Sequence, residues 1–246
     1  MSRRVRCAPL LFSLTLLIVV DRNSVLHADA SSLSGACISG AGMSGSTVTL
    51  HLVDRVGLPR EVLAELMRET TQLWRAAGVR VEWSALPPAG TEVPVVEGQH
   101  PPIMVIVTPD MPDALRSAPP SARVMASILF IDGKPTTLIG AYPAEVTRLL
   151  ETMRMEVRPI NDRPAALRHR LMGRVLGRAI AHELGHFLYG SADHTQDGLM
   201  RARHRVDDLT SPFRHAFRVD PSARYVDSCV TITSDRSPVA TRISLP

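Results

Sequence analysis

Aromatic residues and lysine are both scarce in this chain of 246 residues. Phe, Trp and Tyr together make up 4% of it, too few for the stacked rings on which single-stranded nucleic acids bind. Lys134 is the single lysine, and the other basic residues are arginines spread among 24 acidic ones. No basic run is dense enough to follow a phosphate backbone. The sequence therefore predicts no nucleic-acid partner.

Long hydrophobic runs are absent as well. The longest apolar run without a charge, residues 10–20, has eleven residues, whereas a helix that spans a bilayer needs about twenty. With 45% hydrophobic and 21% charged residues, the chain is able to bury a core and is not typical of disordered proteins. Length and composition together indicate one globular domain of ordinary size, or one domain with a small appendage.

The first thirty residues have the features of an export signal. A basic stretch at residues 3–6 precedes the apolar run, and residues 28–30, Ala-Asp-Ala, match the small-x-small site of a signal peptidase. We expect residues 1–30 to be removed from a secreted or periplasmic protein, with no other membrane contact; an uncleaved N-terminal anchor is the alternative. Residues 31–46, rich in Ser, Gly and Ala, then form a flexible leader to a single domain over residues 47–246.

Cysteine is rare, and its interpretation depends on export. Of the three cysteines, Cys7 lies within the expected signal, which leaves Cys37 and Cys229 near the two ends of the mature chain. A pair of cysteines in an oxidising compartment favours a disulfide between them, and two free thiols are the alternative. On the chain-entropy model, closing so long a loop contributes about 4–5 kcal/mol.

Hydrophobic periodicity predicts alternating strands and helices in the mature chain. Strands are expected at residues 47–54, 79–83, 103–107 and 127–131. Helices are expected at residues 59–77, 143–155 and 165–189. This order predicts an α+β fold, with helices packed on a mixed sheet of about four to five strands.

The third predicted helix carries the residues of chemical interest near its end. Residues 182–186 read His-Glu-Leu-Gly-His. Imidazoles four residues apart lie on one helical face and are able to hold one metal ion, and the glutamate beside them is able to take a proton from a water molecule there. Burying His182, Glu183 and His186 without a metal would leave polar groups unpaired at considerable cost. The motif therefore favours a metal site over two buried structural histidines.

The third metal ligand has two candidates. A catalytic zinc ion takes three protein ligands and keeps one position open. No glutamate follows Glu183, so a downstream glutamate ligand is excluded. Gly190 is able to end the helix and turn the chain back toward the metal, which brings Asp193 and His194 within reach. His194 is favoured because imidazole is the commoner third partner beside two histidines; Asp193 is the alternative, and His204 is a weaker reserve candidate.

Residues 182–201 resemble the metzincin clan of zinc peptidases. The metzincin pattern has two histidines and a glutamate on a helix, then a turn glycine, a third histidine and a turn that contains a methionine. The glycine here lies one residue late and the histidine two residues late, which makes the chain similar to a divergent bacterial group. The resemblance implies Zn²⁺ held by His182, His186 and His194, Glu183 as general base, Gly190 as the turn glycine and Met200 as the methionine of the turn.

The same resemblance implies a metzincin-like fold and a function. The fold is a twisted mixed sheet with an active-site helix and a C-terminal segment. The function is that of a secreted zinc peptidase, in which metal-activated water attacks the bond and Glu183 acts as general base. The peptide or protein substrate is expected along an edge strand, for which residues 127–131 are the candidate. A zinc amidase acting on cell-wall peptides and a zinc-stabilised binding module without activity remain alternatives.

Overall fold

A computed structural model describes residues 16–17, 46–84, 101–109, 111–116, 124–155 and 158–219. All three cysteines and almost all of the expected signal and leader lie outside these residues. The disulfide, the cleaved signal and the leader therefore stay predictions. In the part of the chain that the structure describes, no helix combines the length and the hydropathy needed to cross a membrane.

Strands and helices alternate along the described chain. The strands are β1 (Leu16–Leu17), β2 (Thr47–Asp54), β3 (Arg80–Ser84), β4 (Ile103–Val107), β5 (Ala126–Ile131), β6 (Lys134–Ala141), β7 (Arg154–Met155) and β8 (Arg158–Pro159). The α-helices are α1 (Arg60–Arg75), α2 (Asp113–Arg116), α3 (Pro143–Glu151), α4 (Ala165–Tyr189) and α5 (Val206–Thr210). Two short 3₁₀ turns cover Ile160–Asp162 and His215–Phe217.

The strands β2 to β6 form one mixed sheet in the order β5-β6-β4-β2-β3. The strands β3, β2, β4 and β6 are parallel to one another, and β5 is antiparallel to β6. The short strand β1 pairs antiparallel with residues 126–127 on the other side of β5. The α+β class agrees with the sequence-based prediction, and five strands fit the predicted sheet of about four to five. The sequence locates four of these five strands.

The hairpin of β5 and β6 contains a strand that the sequence-based prediction lacks. Ile131 pairs with Lys134, so Asp132 and Gly133 alone make the turn, and their φ angles are 51° and 73°. Two positive φ angles define a type I′ turn, for which Asp-Gly is a preferred pair. The residues of β6 form no continuous apolar run. The Asp-Gly pair is the sequence signal for this strand, because such a turn after β5 implies an antiparallel strand that follows it.

The helix predicted over residues 143–155 is too long. The helix α3 ends at Glu151, and residues 154–155 form β7, which pairs with β8. The amide groups of Thr152 and Met153 donate to carbonyl groups three residues back, and the Thr152 hydroxyl donates to the Leu149 carbonyl oxygen. These shorter bonds tighten the last turn and end the helix.

A row of small residues brings α1 close to α4. The row is spaced by four residues and consists of Gly173, Gly177, Ala181 and Gly185. A Cβ atom at Gly177 would lie 2.7 Å from the Leu66 carbonyl oxygen, so only glycine allows this approach. One turn further on, the Trp74 indole donates to the Ala181 carbonyl oxygen at 2.9 Å. The position of α4, which carries the 182–186 motif, is thereby fixed against α1.

Buried charges join α1, α4 and the chain that follows residue 200. Glu69 of α1 is fully buried; its Oε1 accepts from Arg178 Nε at 2.8 Å and its Oε2 from Arg214 Nη2 at 2.6 Å. The Arg178 guanidinium also donates to three carbonyl oxygens of residues 208–213. Because a buried charge is tolerated only when it is paired, this cluster links the three segments firmly.

Candidate metal centre

Three histidine side chains converge at the end of α4. His182 and His186 lie on the same face of the helix, both completely buried, with their Nε2 atoms 3.0 Å apart. His194 approaches them from the loop that follows the helix. One ligand atom from each of the three histidines lies within 4.8 Å of the other two. The structure thus contains a group positioned to hold a metal ion.

Backbone carbonyl groups fix the orientation of both helix histidines. His182 Nδ1–H donates to the Leu199 carbonyl oxygen at 2.6 Å, and His186 Nδ1–H donates to the Ser191 carbonyl oxygen at 2.8 Å. Since a carbonyl oxygen only accepts, each neutral ring carries its proton on Nδ1 and a lone pair on Nε2. Two lone pairs 3.0 Å apart repel each other unless a cation lies between them. Such carbonyl partners are typical of histidines that bind a metal.

The surroundings keep these imidazoles neutral. Burial lowers the pKa of His182 well below its usual value, and His186 and His194 lower it further. Burial also lowers the pKa of His186 to about 3 and reduces that of His194. Neutral imidazole is the form that binds a metal ion. Three such nitrogens fit a zinc ion that keeps a fourth position open.

The loop after α4 brings His194, rather than Asp193, to the other two histidines. Gly190 ends the helix with a φ of 60°, as the sequence predicts. Asp193 is exposed, and its carboxylate accepts from the Ser191 hydroxyl at 2.8 Å within the loop. His194 Nε2 is buried without a hydrogen-bond partner among the described residues. His194 therefore has the free nitrogen that a ligand needs, although ligation itself stays a prediction.

Met200 packs against the α4 turn that carries both helix histidines. A Cβ atom at Gly185 would overlap the Met200 sulfur, so glycine at this position is what allows the contact. The Thr195 amide donates to the Met200 carbonyl oxygen at 2.9 Å, and the Leu199 amide donates to the Arg218 carbonyl oxygen at 2.8 Å. These bonds hold the turn in place next to the histidines.

Glu183 is fully buried, and only one of its carboxylate oxygens is satisfied. Oε2 accepts from the Ile128 amide of β5 at 2.8 Å, whereas Oε1 has no partner among the described residues. Burial raises the pKa of Glu183 well above its usual value, and the Ile128 amide opposes this shift. One oxygen is thus anchored by the backbone, and the lone pairs of the other are unused among the described residues.

Sequence reasoning missed the groups that orient this site. They are the carbonyl groups of Leu199 and Ser191 and the amide of Ile128. Every residue carries such groups, so no sequence pattern marks them. Phe130 was missed too; its ring packs edge-on against His186 with 5.9 Å between the ring centroids. His204, the reserve candidate, lies outside the group of three.

No protein-family model matches the chain, and no curated protein matches it. The fold and the site by themselves define an α+β protein with a three-histidine group that is able to bind a metal ion.

We expect the metal-free protein to lose stability as the pH falls below about 6.5. Burial lowers the pKa of His182, His186, His194 and His204, that of His204 to about 4, so the unfolded chain binds protons that the folded chain does not. His182 and His186, which are almost fully buried, each cost about 1.4 kcal/mol per pH unit between the unfolded and the folded pKa, and the more exposed His194 contributes less. Glu183, whose pKa is raised, offsets one of them above about pH 4.5. Urea unfolding between pH 7 and pH 4 with a chelator present measures this. A constant free energy of unfolding would contradict it.

Proposed function

We propose that this protein is a zinc-dependent peptidase of metzincin-like type, in which His182, His186 and His194 hold the ion. The observation that carries the proposal is the combination of three convergent imidazoles with a buried, half-satisfied carboxylate on the same helix. A zinc ion, when bound, would polarise a peptide carbonyl group and lower the pKa of a water molecule. The remaining chemistry belongs to side chains of this chain.

Glu183 is the proposed general base. Its free Oε1 would accept a proton from the attacking water and deliver that proton to the amine that leaves. Oε2 would stay bonded to the Ile128 amide, so the carboxylate keeps its orientation through both transfers. Burial raises the pKa of Glu183, and a zinc ion bound nearby would favour the charged carboxylate that a general base needs before it takes up the proton.

The strand β5 is the proposed position of the substrate backbone. Beyond residues 126–127, the outer side of β5 has no strand partner within the described residues. An extended peptide added to this edge would pass beside Ile128, whose amide holds the general base. Leu129 is exposed on this strand, and Phe130 contacts the ligand candidate His186. Both are therefore candidates for contact with substrate side chains.

The predicted export signal makes the proposed enzyme secreted or periplasmic. Peptides, proteins and the peptides of cell walls are all substrates that such an enzyme would meet. An amidase acting on cell-wall peptides would use the same four residues, so only substrate profiling separates the two activities.

The test is a metal-dependent digest by purified wild-type protein. We expect about one zinc ion per chain, cleavage of a peptide library derived from a proteome, loss of cleavage with 1,10-phenanthroline and recovery with added Zn²⁺. Cleavage of cell-wall fragments alone would favour the amidase. Bound zinc without either activity would favour the binding module, and protein that binds no metal would overturn the proposal.

A further inference from the structure

The carbonyl group that orients His182 has a second imidazole beside it. His204 Nε2 lies 3.3 Å from the Leu199 carbonyl oxygen, which also accepts from His182 Nδ1 at 2.6 Å. His204 is 7% exposed, and its Nδ1 has no hydrogen-bond partner among the described residues. A carbonyl oxygen has two lone pairs, so it is able to accept from both rings.

Packing from the C-terminal part of the described chain holds His204 in this position. The imidazole stacks on Phe217, with 4.5 Å between the ring centroids and 26° between the planes. The Arg178 guanidinium lies 4.5 Å from the centroid of the Phe217 ring, and Glu69 fixes Arg178 in turn. Side chains outside the three-histidine group therefore set the orientation of His204.

The charge state of His204 suits a donor to Leu199. Burial lowers the pKa of His204 to about 4, and the hydrogen bond to the Leu199 carbonyl opposes this shift. The neutral ring has a single N–H group. Since Leu199 offers the acceptor, that group is Nε2–H, and the buried Nδ1 keeps an unused lone pair. The contact at Nε2 is thus the one polar contact described for this ring.

We propose that His204 is a positioning residue of the metal centre, which fixes the Leu199 carbonyl group and thereby the ring of His182. This inference rests on the proposed metal site and does not require peptidase activity. Hydrogen-bond partners of metal-binding histidines change metal affinity by about 10- to 100-fold. His204 contacts the carbonyl group that orients His182 rather than His182 itself, and its hydrogen bond is longer. We therefore expect the loss of this bond to change Zn²⁺ affinity by about tenfold or less.

Two variants of His204 distinguish the effect of its hydrogen-bond donor on Zn²⁺ binding from the effect of its ring packing. His204→Phe keeps a ring that stacks on Phe217 but has no N–H group, whereas His204→Gln places an amide donor near the position of Nε2. We expect His204→Phe to weaken Zn²⁺ binding by about three- to tenfold and His204→Gln to restore most of the affinity. His215→Phe, the same exchange at an exposed histidine, is the matched control and should bind as the wild type does.

The measurements are Zn²⁺ affinity by competition with a chromogenic chelator and the visible spectrum of the Co²⁺-loaded proteins. Thermal melting of the metal-free variants shows whether each one folds. A change in melting temperature without a change in Zn²⁺ affinity would assign His204 a packing role and overturn the inference. Equal affinities of His204→Phe and the wild type, or equal losses in both His204 variants, would also overturn it. A wild type that binds no metal would instead refute the proposed function.

Discussion

Glu183→Ala should retain about one zinc ion per chain while kcat/KM falls by up to about 10⁴-fold, the upper range for loss of a general acid–base group. The rings of His182 and His186 do not depend on this carboxylate for their orientation, because their partners are backbone carbonyl groups. Glu183 is also not a member of the three-histidine group. Zinc content and cleavage of one library-derived peptide, measured on the same sample, test the separation of binding from catalysis.

Glu183→Gln is the matched control for this result. The alanine variant leaves the buried Ile128 amide without its acceptor, which costs about 1–3 kcal/mol of stability. The glutamine side chain keeps the size and an acceptor oxygen but is unable to take up the proton. Both variants should therefore be inactive, with Glu183→Gln the more stable. Loss of zinc in both would make Glu183 a ligand and contradict the proposed mechanism.

His194→Ala should weaken zinc binding by about 10²- to 10³-fold, which is one ligand's share of the binding free energy of a protein zinc site. Asp193→Ala should bind nearly as well as the wild type, because among the described residues this exposed carboxylate accepts from Ser191 in the loop and is not a member of the three-histidine group. Isothermal titration or competition with a chelator of known affinity measures both. Tight binding by His194→Ala together with loss of metal in Asp193→Ala would reverse the assignment.

Much of the fold can be predicted from local patterns. The alternating residues of β2 and the apolar stripe of α4 give both elements their observed bounds, Thr47–Asp54 and Ala165–Tyr189. The strand β6 contains no such pattern, and its position follows only from the Asp-Gly turn before it. Local periodicity therefore locates elements that are amphipathic over several residues. It misses strands, such as β6, that form because they pair with neighbouring strands.

The candidate site shows the same division. The spacing of His182 and His186 and the turn at Gly190 are local, so the sequence is sufficient to bring the three imidazoles together. The hydrogen bond from Ile128 to Glu183 joins residues 55 positions apart, and the bond from His182 to Leu199 ends on a backbone group. Long-range contacts of this kind depend on how the sheet packs on the helix, which no short motif encodes.

The glycines of α4 make this helix dependent on its neighbours. Each of Gly173, Gly177 and Gly185 lowers intrinsic helix stability by about 1 kcal/mol relative to alanine, so the segment is a poor helix former in isolation. Its helical state is imposed by the packing of α1, of the sheet and of the Met200 turn. Two of the three proposed ligands gain their spacing from that helix. The two helix histidines therefore have the spacing that the proposed metal site needs only when α1 has packed against α4, which couples assembly of that site to folding.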